Sequence, residues 1–528
     1  MTIPARIDAK QSQVLSGRAR IAIGIAFAIG LVLFVLSALT KAPHVDEGDL
    51  GSAALSLLDN GHFAFPMAYY YLANARTEYL LPPFYFGTLA GWFEIVGRSY
   101  AAYRLFHACF WILLVAAWTQ VSSRISRTTS AVVIAALLLA LNYDLINLGI
   151  SRYDIVCAAL NAAALAAYLR LRATRFTLAV VASNTFLALS AITHPNAMFG
   201  LLGCAMLVIG SGDWRRIKLR HVALGLLPYA VAFGAWALII DGRWSLFIEQ
   251  MTYGARSKRV DLGSPFAVLA DDIRVRWIEL FSGWRSGVPV VMRAKSIFPL
   301  LWLVAVARLL IYPRGDAVET GLRRALALFS LASAVLLAFT DTLHLQIYVV
   351  NVVPQCTAVL AIALSDYWED RPAFRPLLAT GVAGLAVFGI VSITYRVRMM
   401  ELQRGYGNVV QAIRGNLEDD GLIVGPSELG YAFEFTKHVR NDPRLTSIGE
   451  GKLPQYVVRT VEQGVLDFPT SATCEQSTAG MDSVEYVQVQ LPDAVEKYRV
   501  YRRQSKITPS DRTFRLRYCQ SVPPTGGK

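Results

Sequence analysis

The sequence predicts an α-helical polytopic membrane protein of about eleven spans, closed by a small C-terminal extracytoplasmic α/β domain. Three observations predict it. With 54% hydrophobic and 17% charged residues over 528 positions, the chain is too apolar for an ordinary soluble multidomain protein. Apolar runs close to the ~20 residues needed to cross a bilayer recur as far as residue 395. Lys and Arg fall in short clusters between those runs, as the positive-inside rule expects of cytoplasmic loops. The net charge of +13 therefore reads as topology, and nucleic acid is not an expected partner.

Residues 1–19 form a basic cytoplasmic tail with Arg6, Lys10 and Arg18. Ile21–Thr40 is uncharged and longer than a secretory h-region, so it reads as a retained anchor running outward. The stretch 82–97, "PPFYFGTLAGWFEIVG", is short and opens on two prolines, which reads as an interfacial or re-entrant helix. Span 2 (101–121) then returns to Arg124 and Arg127 inside, span 3 (131–147) runs outward, and span 4 (156–170) ends at Arg170, Arg172 and Arg175. Two runs in 176–210, broken at "THPNA", cross out and back to "DWRRIKLRH". Span 7 (222–240) leads to a polar outer segment, 241–295. Spans 8 (296–312), 9 (325–340), 10 (345–365) and 11 (376–395) complete a transmembrane domain of residues 20–395.

The tail, 396–528, is thereby placed outside. "GLIVGPS" reads as a buried strand opening a turn, and "VEYVQVQL" alternates as a half-exposed strand does. Of the six cysteines, Cys109, Cys157, Cys204 and Cys356 lie in apolar segments as buried hydrophobes. Cys474 and Cys519 lie in the tail and would form a disulfide in an oxidising compartment.

Three groups of residues carry candidate chemistry. Asp46, Glu47 and Asp49 crowd together just after span 1, at the start of a helix marked by Leu50, Ala54, Leu57 and Leu58. Helix starts favour acids for their dipole alone, at ~0.3–1 kcal/mol each. Asp154, with Arg152 before it, reaches the same face. Such carboxylates suit general-base activation of an acceptor hydroxyl, or a divalent cation (Mg, Mn or Ca) on Asp46, Asp49 and Asp154. The third group is basic and outward: Arg256, Lys258 and Arg259, then Arg274, Arg276, Arg285, Arg293 and Lys295, suiting an anionic head group. His194 and His344 sit at outer span ends as interfacial histidines or phosphate contacts.

An Asp-Glu pair after span 1, an Asn-Gly-His-Phe turn, "EYLLPPFYF", a Gly-Arg-Ser-Tyr-Ala-Ala-Tyr-Arg turn ending at Arg104, and Arg-Tyr-Asp before span 4 occur in that order. The set resembles the GT-C glycosyltransferases that use polyprenyl-phosphate sugars, among them the protein O-mannosyltransferases and the lipid A aminoarabinose transferase. The resemblance implies Asp46 as catalytic base, with Glu47 and Asp154 beside it as catalytic groups, and Glu78 as the acid before the prolines. The aminoarabinose branch has an Arg where this chain has Asp49, and a Lys where it has Tyr79, Leu80 and Leu81. The donor phosphate would then fall to Arg76, Arg152, the Arg256–Lys258–Arg259 cluster, His344 or a bridging metal, with Arg104 and Asp49 also among the substrate-binding groups.

The function expected is transfer of a sugar from a polyprenyl phosphate to a hydroxyl of a glycan, lipid or protein, with inversion, on the outer face of a bacterial inner membrane. A transporter or flippase is the alternative, but transporters place ionisable groups at mid-membrane, whereas the acids here gather at span ends.

Overall fold

The computed structural model describes residues 15–64, 66–67, 83–257, 264–285, 290–312, 314–435, 438–441, 453–460, 481–489, 491, 498–503 and 513–519. In chain order the helices are α1 (Gly17–Thr40), α2 (Val45–Asn60), α3 (Pro83–Val96), α4 (Tyr100–Ser126), α5 (Thr129–Ala140), α6 (Tyr143–Leu148), α7 (Asp154–Leu171), α8 (Phe176–Ala191) and α9 (Ala197–Gly210). There follow α10 (Leu219–Ile240), α11 (Trp244–Ser257), α12 (Pro265–Asp272), α13 (Ile297–Ile311), α14 (Ala317–Thr340), α15 (Val353–Asp370), α16 (Arg375–Met399), α17 (Asn408–Arg414) and α18 (Gly430–Phe433). The strands are β1 (Ile423–Val424), β2 (Val439–Arg440), β3 (Tyr456–Thr460), β4 (Met481–Val489), β5 (Tyr498–Arg503) and β6 (Thr513–Cys519).

These elements form two compact units. The larger is drawn from Met1–Ser37, Tyr79–Tyr85 and Leu105–Thr394, the smaller from Ala38–Glu78, Phe86–Arg104 and Tyr395–Lys528. The tail therefore shares its unit with α2 and most of α3.

In the larger unit α7 is buried along nearly its whole length, because an alanine-rich sequence lets α8 and α9 approach it closely. Close approach is also required where α9 meets α14: a Cβ on Gly210 would strike the backbone of Gly321, and one on Gly321 the backbone of Gly210. By contrast α10 leaves Leu226, Val231 and Leu238 exposed, and α16 leaves Leu377, Val387 and Val391 exposed, as helices facing lipid do. Among the described residues seven helices are long and apolar enough to cross a membrane, with Thr129–Ala140, Phe176–Ala191 and Ala197–Gly210 shorter. The chain is an integral multi-pass membrane protein. Expected span 3 divides in two because Asn142 caps α6, its Oδ1 accepting from the amides of Asp144 and Leu145. Helix α3, at 14 residues, is too short to span.

The smaller unit is built on a six-stranded mixed sheet of order β2-β1-β3-β5-β4-β6. β1 runs parallel to β2 and β3, and the remaining pairs are antiparallel. Ile423, Val439, Tyr456, Val458 and Val500 close on Val409 and Ile413 of α17, with Leu429 and Phe433 on the turn after β1. Burying each such aliphatic side chain contributes about 1.5–3 kcal/mol, which holds the turn 427–431 in place.

Candidate active site

Helix α2 starts where the sequence places it. His44 is its N-cap: the ring Nδ1 accepts from the Asp46 amide at 3.3 Å. Asp46 keeps its side chain 35% exposed, with Oδ2 3.7 Å from the same ring nitrogen. It is the accessible acid of the group.

Glu47 points the other way and is fully buried. Arg104 grips it with two bonds, Nε to Oε2 at 3.0 Å and Nη2 to Oε1 at 3.1 Å. The remaining guanidinium donors go to carbonyls at the end of α1 and just beyond it: Nη1 to Ala38 and Lys41, both at 2.7 Å, and Nη2 to Ala42 at 3.0 Å. The Tyr100 hydroxyl donates to Glu47 Oε2, and the Tyr431 hydroxyl donates to its backbone carbonyl at 3.1 Å. Arg104, expected among the substrate-binding groups, has its donors engaged within the protein. A buried pair of this kind is costly to break, because the surviving charge is left without a partner.

Asp49 is buried against the turn after β1. Burial first, and then the neighbouring Asp46, push its carboxyl up to about 8, against hydrogen bonds from Ser427 and Asn441 that favour the ionised form. Its Oδ1 has no hydrogen-bond partner. Half-buried Lys41 is pushed down to about 7, chiefly by burial and then by the cations Arg396 and Arg104. A carboxyl that is neutral near pH 7 is a poor metal ligand. Among the described residues no three His, Cys, Asp or Glu side chains gather in a metal-binding group. The divalent cation expected on Asp46, Asp49 and Asp154 thus has no such group among the described residues.

In the larger unit Asp154 opens α7 at 1% exposure. Arg152 Nε lies 3.2 Å from its Oδ2, and Asn196 donates to its Oδ1 at 3.4 Å. The guanidinium of Arg152 lies over the rings of Tyr153 (5.0 Å) and Tyr348 (5.6 Å) and donates to the Tyr153 hydroxyl. His194 packs against Tyr153, with ring centroids 4.8 Å apart, and its Nδ1 accepts from the Asn196 amide. The "THPNA" turn is thus brought to Asp154.

The segment 241–295 departs from the solvated basic loop expected of it. Arg276 is fully buried, held by Asp272 (2.7 Å) and Asp341 (3.1 Å). His344 faces Asp272 through Nδ1 at 3.1 Å and Asp271 through Nε2 at 2.8 Å, so its nitrogens are engaged by carboxylates rather than presented to phosphate. Lys295 is buried against Asp144 at 2.6 Å and lies over Phe281. Arg76, Glu78, Lys258, Arg259 and Cys474 lie outside the described residues, as do the side chains of Arg256 on α11 and Cys519 on β6. The proposed disulfide therefore falls there too.

Sequence reasoning missed His44, Tyr100, Tyr431, Asp272, Asp341 and Tyr348. His44 had a visible signal, two positions before an acid at a helix start. Asp272 had one too, four positions before Arg276, and the others are joined to their partners only by the fold.

No protein-family model matches the chain, and no curated protein does. Solved structures do. ArnT from Cupriavidus metallidurans, bound to undecaprenyl phosphate, matches at TM-score 0.58 and 15% identity over 92% of this chain and 98% of its own. The oligosaccharyltransferase of Archaeoglobus fulgidus in its apo form matches at 0.54 and 12% identity, covering 86% of this chain and 71% of that one. The same enzyme in complex with zinc and sulfate matches at 0.51 and 15% identity, over 84% and 68%. Their shared architecture is that of the GT-C superfamily, and the chain has the GT-C fold.

Proposed function

We propose that this protein is a glycosyltransferase that moves a sugar from a polyprenyl phosphate to an acceptor hydroxyl on the extracytoplasmic face of a bacterial inner membrane. The observation that carries the reading is the likeness over 92% of the chain to ArnT, a structure that holds undecaprenyl phosphate. Asp46, the accessible acid at the start of α2, takes the acceptor proton as the acceptor oxygen attacks the anomeric carbon. The bond from that carbon to the phosphate oxygen breaks, the polyprenyl phosphate departs, and configuration inverts. Glu47 does not touch substrate in this reading; with Arg104 it positions the loop that carries Asp46. Asp154 orients the acceptor, and Arg152 with the Arg256, Lys258 and Arg259 cluster supplies charge for the departing phosphate. Arg76 and Glu78 remain in the proposed donor site.

The test is replacement of Asp46 and, separately, Asp154 by Asn, with sugar transfer measured in vivo at matched protein level. A transferase loses transfer in the Asp46→Asn variant by about 10²-fold or more. Unchanged transfer in both variants contradicts the assignment.

A further inference from the structure

Between Arg170 and His221 the chain carries seven cations (Arg170, Arg172, Arg175, Arg215, Arg216, Lys218 and Arg220) and one acid, Asp213. That acid is internal. It is 4% exposed and accepts from Arg172 Nε at 2.6 Å, Tyr168 at 2.8 Å and Arg216 Nη1 at 3.0 Å. These bonds, with Gly212 at φ 74°, fix a tight turn over Asp213–Arg216 between α9 and α10. Arg216 also donates to the Arg172 carbonyl and lies over the Phe176 ring, joining this turn to the one between α7 and α8.

What the joined turns present outward is cationic and apolar at once. Arg170, Arg175, Arg215, Lys218 and Arg220 are exposed, and so are Trp214, Ile217 and Leu219. The first turn of α10 holds no acid, and the acids at the start of neighbouring α14 are engaged: Asp316 by Arg127 and Glu319 by Arg323. Immediately beyond, α10 turns Val222, Leu224 and Leu226 outward, so the cations sit where a lipid-facing helix begins. An exposed Trp at such a boundary, beside clustered Lys and Arg, matches the level of phospholipid head groups.

We infer that the paired turns at 170–176 and 213–220 form a docking site for anionic phospholipid, with the head-group phosphate among Arg215, Lys218 and Arg220 and the acyl chains along α10. The site is independent of sugar transfer, so its failure and the failure of the proposed function are separable.

The test uses the full-length protein in nanodiscs of phosphatidylcholine with and without phosphatidylglycerol, counting retained phosphatidylglycerol by native mass spectrometry after release. Wild type retains it selectively over phosphatidylcholine, and the selectivity falls as salt is raised. The R215Q/K218Q/R220Q variant, which leaves the Asp213 bonds in place, loses selectivity by about fivefold per charge, or about a hundredfold in all. Equal retention of the two lipids by wild type, or undiminished selectivity in the triple variant, overturns the site. The wild-type salt series stands alone if the variant fails to fold.

Discussion

Glu47 and Arg104 form the most constrained contact of the first loop, since both are fully buried and each satisfies the other twice. Glu47→Gln or Arg104→Met leaves one charge buried without its partner, which costs about 3–5 kcal/mol and loosens the loop carrying Asp46. Arg104→Lys cannot reproduce the two-pronged grip and falls on the same side. Thermal unfolding of the purified protein checks this; melting within a degree of wild type contradicts it. Asp49 gives a prediction with a sign. Its folded carboxyl titrates near 8, against an ordinary 3.8, so between those values the folded protein holds a proton that the unfolded chain releases. That stabilisation is whole below pH 3.8 and is lost as pH rises through about 8. Lys41 acts oppositely, its cost full below about 7 and fading towards 10.5. The difference between wild type and Asp49→Asn isolates the first effect: the variant gains relative stability steadily from pH 4 to 8. A constant difference across that window refutes the burial argument.

Helix α2 is seated on the turn after β1 through two glycines that behave differently. A Cβ on Gly48 would meet backbone atoms of Ser427 and Glu428, which have little room to yield, whereas one on Gly51 would meet the end of the Tyr431 side chain. Alanine improves helix propensity by up to about 1 kcal/mol at either place. At Gly48 the clash outweighs that gain and Gly48→Ala destabilises by about 1–3 kcal/mol; Gly51→Ala costs less, because what must yield is one side chain, though Tyr431 then gives up its bond to the Glu47 carbonyl and its packing on Tyr100. Amide hydrogen exchange along α2 and β1 reads both; faster exchange in the Gly51 variant alone reverses the assignment. Element existence was legible in the sequence because long apolar runs and period-2 alternation are local signals: α1, α4, α7, α10 and β4 fall within a few residues of their expected positions. The break at Asn142 was not, since a cap inside an apolar run shows only through the amides it accepts. Nor was the burial of Arg276, whose partner Asp341 lies 65 residues away, or of Arg104, 57 residues from Glu47. For single charged side chains the sequence supplies position along the chain, and the fold decides the partner.

At the scale of the whole molecule, a sheet-bearing tail that shares its unit with α2, and a membrane-embedded bundle centred on buried α7, give the GT-C architecture at 15% identity to ArnT. The sequence likeness alone is too faint for any family model. One pattern carries the proposed reaction: an accessible acid at the start of α2 and a fully paired one beside it. The measurement that tests the central claim most directly is mass spectrometry of polyprenyl-phosphate sugars in cells lacking the protein, compared with cells carrying the Asp46→Asn form at normal level. The account predicts that one polyprenyl-phosphate sugar accumulates in both strains and returns to its original level with wild type. An unchanged lipid-linked sugar pool in both would contradict it.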